Sequence, residues 1–318
     1  MSLAHYVKRP LRAGKRRYFR ATSRLRMLPT FIILGAQRAG TSTLFFHLHE
    51  HPDVRRPTIG AGGISWSKEL HFFDERYGWG LDWYRTFFPY EAARELARRR
   101  GHDLQAGEAT PYYLFHPAVP ARIAETLPDV RLIALLRNPI ERAYSHYSLM
   151  RLRGRESLSF ADAVDAEPER LASIDPAVFD APVQVPGEDG VRLHEHHRHR
   201  SYLSRGLYAE QLERWFEHFP REQLHVIRFE DLAADPARIY RETLEFLGLH
   251  AWSPSTFTRR NPGKKPEPLD PAVRARLEEY FAEPNERLAQ LLGRDFDWGP
   301  RPSAETPPAA REIPTSER

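Results

Sequence analysis

The stretch Phe31 to Leu44, FIILGAQRAGTSTL, constrains the fold most tightly. Phe31-Ile32-Ile33-Leu34 is a short apolar run of the kind used by parallel strands covered on both faces. Gly35 and Gly40 frame a tight loop, and Thr41-Ser42-Thr43 suit a helix N-terminus. A strand, a glycine loop and a helix in that order aim backbone N–H groups and the helix dipole at one spot. The stretch predicts an anion site, with phosphate the usual occupant. Ordinary strand-turn-helix corners that bind nothing share the pattern, so the loop alone leaves that reading open.

The residue after Gly40 narrows the ligand. A nucleoside-triphosphate P-loop ends in Gly-Lys-Ser/Thr. Here the order is Gly40-Thr41-Ser42, and the cation sits inside the loop at Arg38. Such a loop is poorly equipped to hold a β/γ-phosphate with magnesium. It suits a 5′-phosphate whose next group is not a phosphate. A nucleotide kinase or another P-loop phosphotransferase is the alternative, and the missing lysine counts against it.

A second buried strand, Val130 to Leu136 (VRLIALL), runs into Arg137-Asn138-Pro139 and a helix from Ile140 to Leu152. Asn138 is a good N-cap and Pro139 a good first helical residue. A third strand, Leu224 to Phe229, lies between helices at Tyr208–Phe219 and Pro236–Leu247. Further helices are expected at Leu44–His49, Glu91–Arg100, Ala118–Leu127 and Pro271–Leu292, with a short strand before the Gly107–Tyr113 turn. Gly154 to Ser204 reads as a helix and a long loop. Alternating strands and helices predict an α/β fold, a three-layer α/β/α sandwich around a mostly parallel sheet. Ligands in such sheets bind beyond the carboxyl ends of the strands. Arg38 and Arg137 would then face one crevice, with Ser145 eight residues after Arg137 on the next helix. A ligand with two separated phosphate-like groups fits both. Arg137 could equally pair with Glu141.

Composition bounds the rest. The chain has 318 residues, formal charge +4 and no cysteine, so disulfides and thiolate chemistry are excluded. Between Lys8 and Arg26 there are many Lys/Arg and no acid. Residues 1–28 read as a basic arm, 29–299 as one catalytic domain, and 300–318, rich in Pro, Ser and Glu, as a disordered tail. No apolar run has the length of a membrane span and the start lacks a signal-peptide core. The expectation is a cytoplasmic protein whose arm is a solvated tail or touches anionic lipid, without nucleic acid as partner. The run Leu193 to Arg200, LHEHHRHR, lacks the spacing of a closed zinc site. It reads as a solvated loop or part of a basic acceptor groove.

GAQRAGTSTL and LLRNPIERAYSHY resemble the two cofactor motifs of sulfotransferases that use 3′-phosphoadenosine 5′-phosphosulfate (PAPS). KELHFFDERYGWGLDWYRTFFP is similar to the segment of heparan sulfate glucosaminyl N- and 3-O-sulfotransferases that carries their catalytic glutamate. GLYAEQLERWFEHFPREQLHVIRFEDL, and PGKKPEP followed by LEEYFAEPNERLAQLLGRDFDW, also look like that family. The resemblance covers roughly Pro29 to Trp298.

It implies PAPS as cofactor, with adenosine 3′,5′-bisphosphate as product, no metal, and a carbohydrate-like hydroxyl or amine as acceptor. The implied 5′-phosphosulfate contacts are Gln37, Arg38, Ala39, Gly40, Thr41, Ser42 and Thr43, with Arg38 where the family usually has lysine. Arg137 and Ser145 match the pair on the 3′-phosphate, Tyr208 borders the cofactor, and Gly263, Lys264 and Lys265 match a loop that closes on it. Glu69 matches the catalytic base, with His71 second in line, and Arg38 and Lys68 would neutralise the leaving oxygen. Without the resemblance Glu69 reads as a surface acid paired with Lys68 or Arg76. Ala109 stands where 3-O-type relatives have a lysine, which weakens the inference of the same sulfated-sugar acceptor. Trp79–Phe88 together with Arg151, Arg153 and Arg155 suit the walls of an acceptor cleft.

Overall fold

The computed structural model describes residues 14, 17–57, 68–180, 195–258 and 268–299. Five strands form one sheet: β1 (Phe31–Gly35), β2 (Val54–Arg55), β3 (Gln105–Ala109), β4 (Arg131–Leu136) and β5 (Leu224–Arg228). Their order is β2-β3-β1-β4-β5, and every neighbouring pair is parallel. The mostly parallel sheet read from the sequence is parallel throughout. After β1 the chain moves out to the β2 edge and returns through β3. After β4 it moves the other way, to β5. The adjacent strands β1 and β4 therefore send their connections in opposite directions, which opens a crevice between their carboxyl ends.

β1 is buried at all five positions, and β4 at all but Arg131. That matches their unbroken apolar sequences. β3, QAGEA, is also wholly buried, although nothing in its composition announces a core strand. Its polar groups are satisfied in place: Gln105 Nε2 donates to the Leu247 carbonyl at 2.7 Å, and Glu108 accepts from the surrounding segment. Gly107 is there for space, because a Cβ would lie 2.3 Å from the Phe31 ring. Two-residue β2 has no periodicity to read.

The helices that matter for the site are α1 (Thr41–Leu48), α2 (Val119–Thr126), α3 (Pro139–Leu152), α4 (Glu195–His199), α5 (Tyr208–Phe216), α6 (Phe229–Ala234), α7 (Pro236–Phe246) and α8 (Pro271–Leu292). α1 starts at Thr41, three residues before the predicted start. Gly40, in the left-handed region at φ 86°, turns the chain so that Thr41-Ser42-Thr43 form the first turn. α3 begins as its sequence predicts: Asn138 accepts from the N–H groups of Ile140 at 3.0 Å and Glu141 at 3.2 Å, with Pro139 next. α5 ends at Phe216, short of Phe219. Between Gly154 and Ser204 there are two short helices at Phe160–Asp165 and Glu167–Ala172, and then α4.

The aromatic segment Trp79–Phe88 was expected to line an acceptor cleft. Its larger part is core instead. Tyr84, Phe87 and Phe88 are buried, and Tyr84 stacks on Phe72 with centroids 4.3 Å apart and planes 9° from parallel. The apolar rings are worth more out of water than facing it. Arg26 is also buried: its guanidinium donates to the Phe88 carbonyl at 2.8 Å and stacks over Tyr90.

Gly107→Ala tests the β1–β3 contact. The added methyl must displace the Phe31 ring inside a close-packed sheet, and we expect a loss of about 1–3 kcal/mol in urea unfolding. Unchanged stability would mean that this contact is not tight.

Candidate active site

The β1–α1 loop and the start of α3 meet at the crevice. Arg38 sits at φ 73°, a left-handed conformation rare for a residue with a side chain. That turn lets its Nε donate to Ser145 Oγ on α3 at 3.0 Å. Arg137 returns the contact, donating from its guanidinium to the Arg38 carbonyl at 3.1 Å. The two predicted cofactor arginines are thus cross-braced. Arg137 also lies 4.0 Å from Glu141 and over the Phe229 ring, so the ion pair read from the sequence is present. Tyr208 is buried and its hydroxyl donates to the Arg137 carbonyl at 2.8 Å. Gln37 Oε1 accepts from Arg205 at 2.8 Å.

The first turn of α1 presents N–H groups and the Thr41, Ser42 and Thr43 side chains to the same opening. Lys68 Nζ reaches Thr41 Oγ1 at 3.4 Å and Glu69 Oε1 at 3.1 Å. Gln37, Arg38, Gly40, Thr41, Ser42, Thr43, Lys68, Glu69, Arg137, Ser145 and Arg153 all line this one crevice. Ala39 is buried behind it. Gly263, Lys264 and Lys265 lie outside the described residues. Of the three arginines expected at an acceptor cleft, Arg153 lines the crevice. Arg151 is spent on the Glu156 and Ser157 carbonyls, and Arg155 contacts His199.

Glu69 heads a chain of charged groups. Its Oε2 lies 3.4 Å from His71 Nε2, and His71 Nδ1 bonds the buried Asp74 at 2.6 Å. Burial pushes the Glu69 carboxyl up, but the His71 hydrogen bond and the Lys68 charge outweigh it, and its pKa falls to about 2. Burial likewise pulls His71 down, and the Asp74 and Glu69 carboxylates more than reverse it, so its pKa is raised. The cluster favours an anionic Glu69 and a charged His71.

The segment carrying these residues rests on a platform that sequence reasoning missed. Its Leu70 N–H donates to Glu108 Oε2 at 3.3 Å, its His71 N–H to Thr110 Oγ1 at 3.4 Å, and its Phe72 N–H to the Tyr113 hydroxyl at 2.9 Å. The Thr110, Tyr113 and Tyr84 hydroxyls all point their protons at Glu108, at 2.6, 3.0 and 2.8 Å. Glu108 is a fully buried acid serving four donors. The available signal was a glutamate in a Pro-bounded Gly-Glu-Ala-Thr-Pro-Tyr-Tyr turn, with the right polar types but no periodicity.

The histidine-rich run was read as a solvated loop or part of a basic acceptor groove. Its described part, α4, is half-buried and packs onto the site, so the solvated reading fails. Arg198 pairs with Glu75 and lies 3.2 Å from His71 Nε2, while the His197 ring stacks on Phe115 and bonds the Tyr112 hydroxyl. Arg205 holds α4 by donating to the His197 and Arg198 carbonyls at 3.0 and 2.6 Å. Burial pulls the Arg205 pKa down to about 9.

A glycine-framed helix N-terminus at the switch point of a parallel sheet, faced by arginines and one carboxylate, is the layout of an α/β enzyme that handles an anionic group. The chain belongs to the sulfotransferase family: the family model for the sulfotransferase domain matches residues 28–260. It is 27% identical to the membrane-associated sulfotransferase kil1 of Dictyostelium discoideum, over 86% of this chain and 67% of that protein. It is 29% identical to the mouse heparan sulfate glucosamine 3-O-sulfotransferase 3B1, over 86% of this chain and 65% of that protein. This chain thus spans about two thirds of those relatives' length. Among solved structures, a sulfotransferase from Alicyclobacillus acidocaldarius matches with a TM-score of 0.60 and 30% identity, covering 85% of this chain and 97% of that one.

Tyr113→Phe tests the platform. It leaves the Phe72 and Phe73 N–H groups and one Glu108 oxygen short of a partner inside the core. The expected cost is about 1–3 kcal/mol in denaturant unfolding, above that of an ordinary hydrogen bond. A loss under about half a kcal/mol would remove Tyr113 as a support of the segment.

Proposed function

We propose that the crevice binds PAPS and that the protein transfers its sulfuryl group to a hydroxyl or amine of a carbohydrate-like acceptor. The observation that carries this reading is the gathering of two cationic anchors and one carboxylate around a single opening. Arg38, Lys68 and the α1 N-terminus make one anchor, and Arg137 with Ser145 makes the other. Donors from two motifs, bridged here by the Arg38–Ser145 hydrogen bond, suit a ligand with two phosphate-like groups, as adenosine 3′,5′-bisphosphate has.

PAPS, when bound, supplies a sulfuryl group attached to a phosphate leaving group. The remaining work falls to side chains. Glu69 takes the acceptor's proton, for which a carboxylate within hydrogen-bond reach is required. Lys68, bonded to both Glu69 and Thr41, joins base and anion site, so it puts positive charge where negative charge develops. Arg38 supplies a second cation from the loop. The hydrogen bonds of His71 hold Glu69 anionic, at a cost in basicity that acceptor binding must relieve by drawing the carboxylate toward the hydroxyl. The names of the heparan sulfate relatives and the exposed Arg153 at the crevice support a glycan acceptor.

Two variants test the reading. Glu69→Gln keeps the shape and removes the base, so transfer should fall by about 10²–10⁴-fold while adenosine 3′,5′-bisphosphate still binds. Near wild-type turnover would overturn the base assignment. Arg137→Ala should weaken that nucleotide about 10- to 100-fold by calorimetry and leave AMP, which lacks the 3′-phosphate, almost unaffected. Equal affinity of the wild type for both nucleotides would sink the cofactor assignment.

A further inference from the structure

A second group of chemically capable side chains lies at the opposite end of the sheet. His51 and Asp53 immediately precede β2, and His250 follows α7. One ligand atom from each of the three falls within 4.8 Å of the others. His250 Nδ1 is 3.1 Å from Asp53 Oδ2, and His102, just before β3, places its Nδ1 3.2 Å from the same oxygen. The His51 and His250 rings are 4.5 Å apart.

We propose that His51, Asp53 and His250 form a binding site for one divalent transition-metal ion of the zinc class, remote from the catalytic crevice. Three arguments support it. The first is the donor set. Two imidazoles and a carboxylate are the ligands zinc takes when no thiolate is available, and this chain has no cysteine. Bonds of about 2.0–2.2 Å at tetrahedral angles put neighbouring ligand atoms about 3.4 Å apart, close to the observed 3.1 Å.

The second is the tautomer of His51. Its Nε2 lies 3.1 Å from the His250 carbonyl, which can only accept, so Nε2 carries the proton. Nδ1 keeps its lone pair, which accepts from the Asp53 backbone N–H at 3.1 Å, so an ion there must displace that short-range hydrogen bond. A ring N–H given to a backbone carbonyl is how proteins orient a metal-ligating histidine. The third is charge. Asp53 is buried, and among the described residues no lysine or arginine pairs with it. Its side-chain partners there are His102 and His250, so an ion at this point replaces histidine as the countercharge of a buried carboxylate. His102 contacts the same carboxylate oxygen as His250 and supports it from outside the three ligands.

Such an ion would fasten the edge of the sheet. β2 has two residues, and the chain leaving it leads to Lys68 and Glu69. Cross-linking Asp53 to the segment after α7 fixes where that excursion starts. The role is structural and does not rest on the acceptor or cofactor reading.

The test is calorimetric titration of Zn²⁺ into the full chain after chelator treatment, with Co²⁺ absorption as a second readout. One equivalent should bind, visible Co²⁺ bands should report four-coordinate geometry, and the thermal midpoint should rise with Zn²⁺ concentration. Asp53→Asn and His250→Gln should each remove the binding. His250 is half-exposed, so its variant folds even if the aspartate variant does not. His102→Gln should weaken the site about tenfold without removing it. His196→Gln with His199→Gln, in α4, should leave it intact. No binding by the wild type, binding that survives His250→Gln, or binding lost with the α4 histidines would each overturn the proposal.

Discussion

The β1–β4 ladder is the constraint on which the rest of the molecule depends. Phe31 pairs with Arg131, Ile32 with Leu132 and Ile33 with Ile133, after which the register shifts so that Gly35 faces Ala134. β1 ends opposite Ala134, short of the end of β4 at Leu136, and each strand hands the chain to a helix at the carboxyl end of the sheet. Because their connections leave in opposite directions, the space above the two strand ends stays open. Arg38 and Arg137 reach that space from separate motifs almost a hundred residues apart in sequence. Their hydrogen bonds to one another's motif follow from the ladder; without it, neither arginine has a partner loop to brace.

The Lys68–Glu69 side of the crevice is built on a different principle. Lys68 to Asp74 has no strand to stand on. Its backbone is instead held by polar groups from the end of β3, with Glu108 at their centre. Holding the segment by its N–H groups fixes the backbone beneath Lys68 and Glu69, which line the crevice, while His71 stays largely buried against Asp74. The arrangement costs a buried carboxylate, which four donors offset.

Much of this was legible in the sequence. β1, β4 and α3 were readable because burial on both faces and N-capping leave local marks: FIIL, LIALL and Asn138-Pro139. Gln37 to Thr43, Arg137 and Ser145 were legible through motif order, since they follow β1 and β4, whereas Lys68 and Glu69 stood out only through the family resemblance. β3 was harder, because QAGEA is buried for reasons held by its neighbours, namely the Phe31 ring and the carbonyl of Leu247. Trp79–Phe88 misled for a related reason. An aromatic-rich segment looks the same whether its rings face a sugar or a core, and only Phe72 and the β3 platform decide which. α4 misled because charge and histidine content suggest water, whereas carbonyl contacts from Arg205 hold it inside.

Arg205 ties together two things that a transferase otherwise keeps apart. Its guanidinium touches Gln37 in the anion loop with one nitrogen and the carbonyls of α4 with another. The wall that borders Glu69 is therefore indexed to the loop on the donor side, through backbone atoms that no side-chain change in α4 alters. Exchange of His196 or His199 leaves the Arg205 contacts to the α4 carbonyls in place, whereas His197 also packs on Phe115 and Tyr112 and helps hold the helix. In evolutionary terms the fold separates a fixed frame from a variable facing: outward side chains of α4 are free to drift while the helix backbone stays tied to the anion loop.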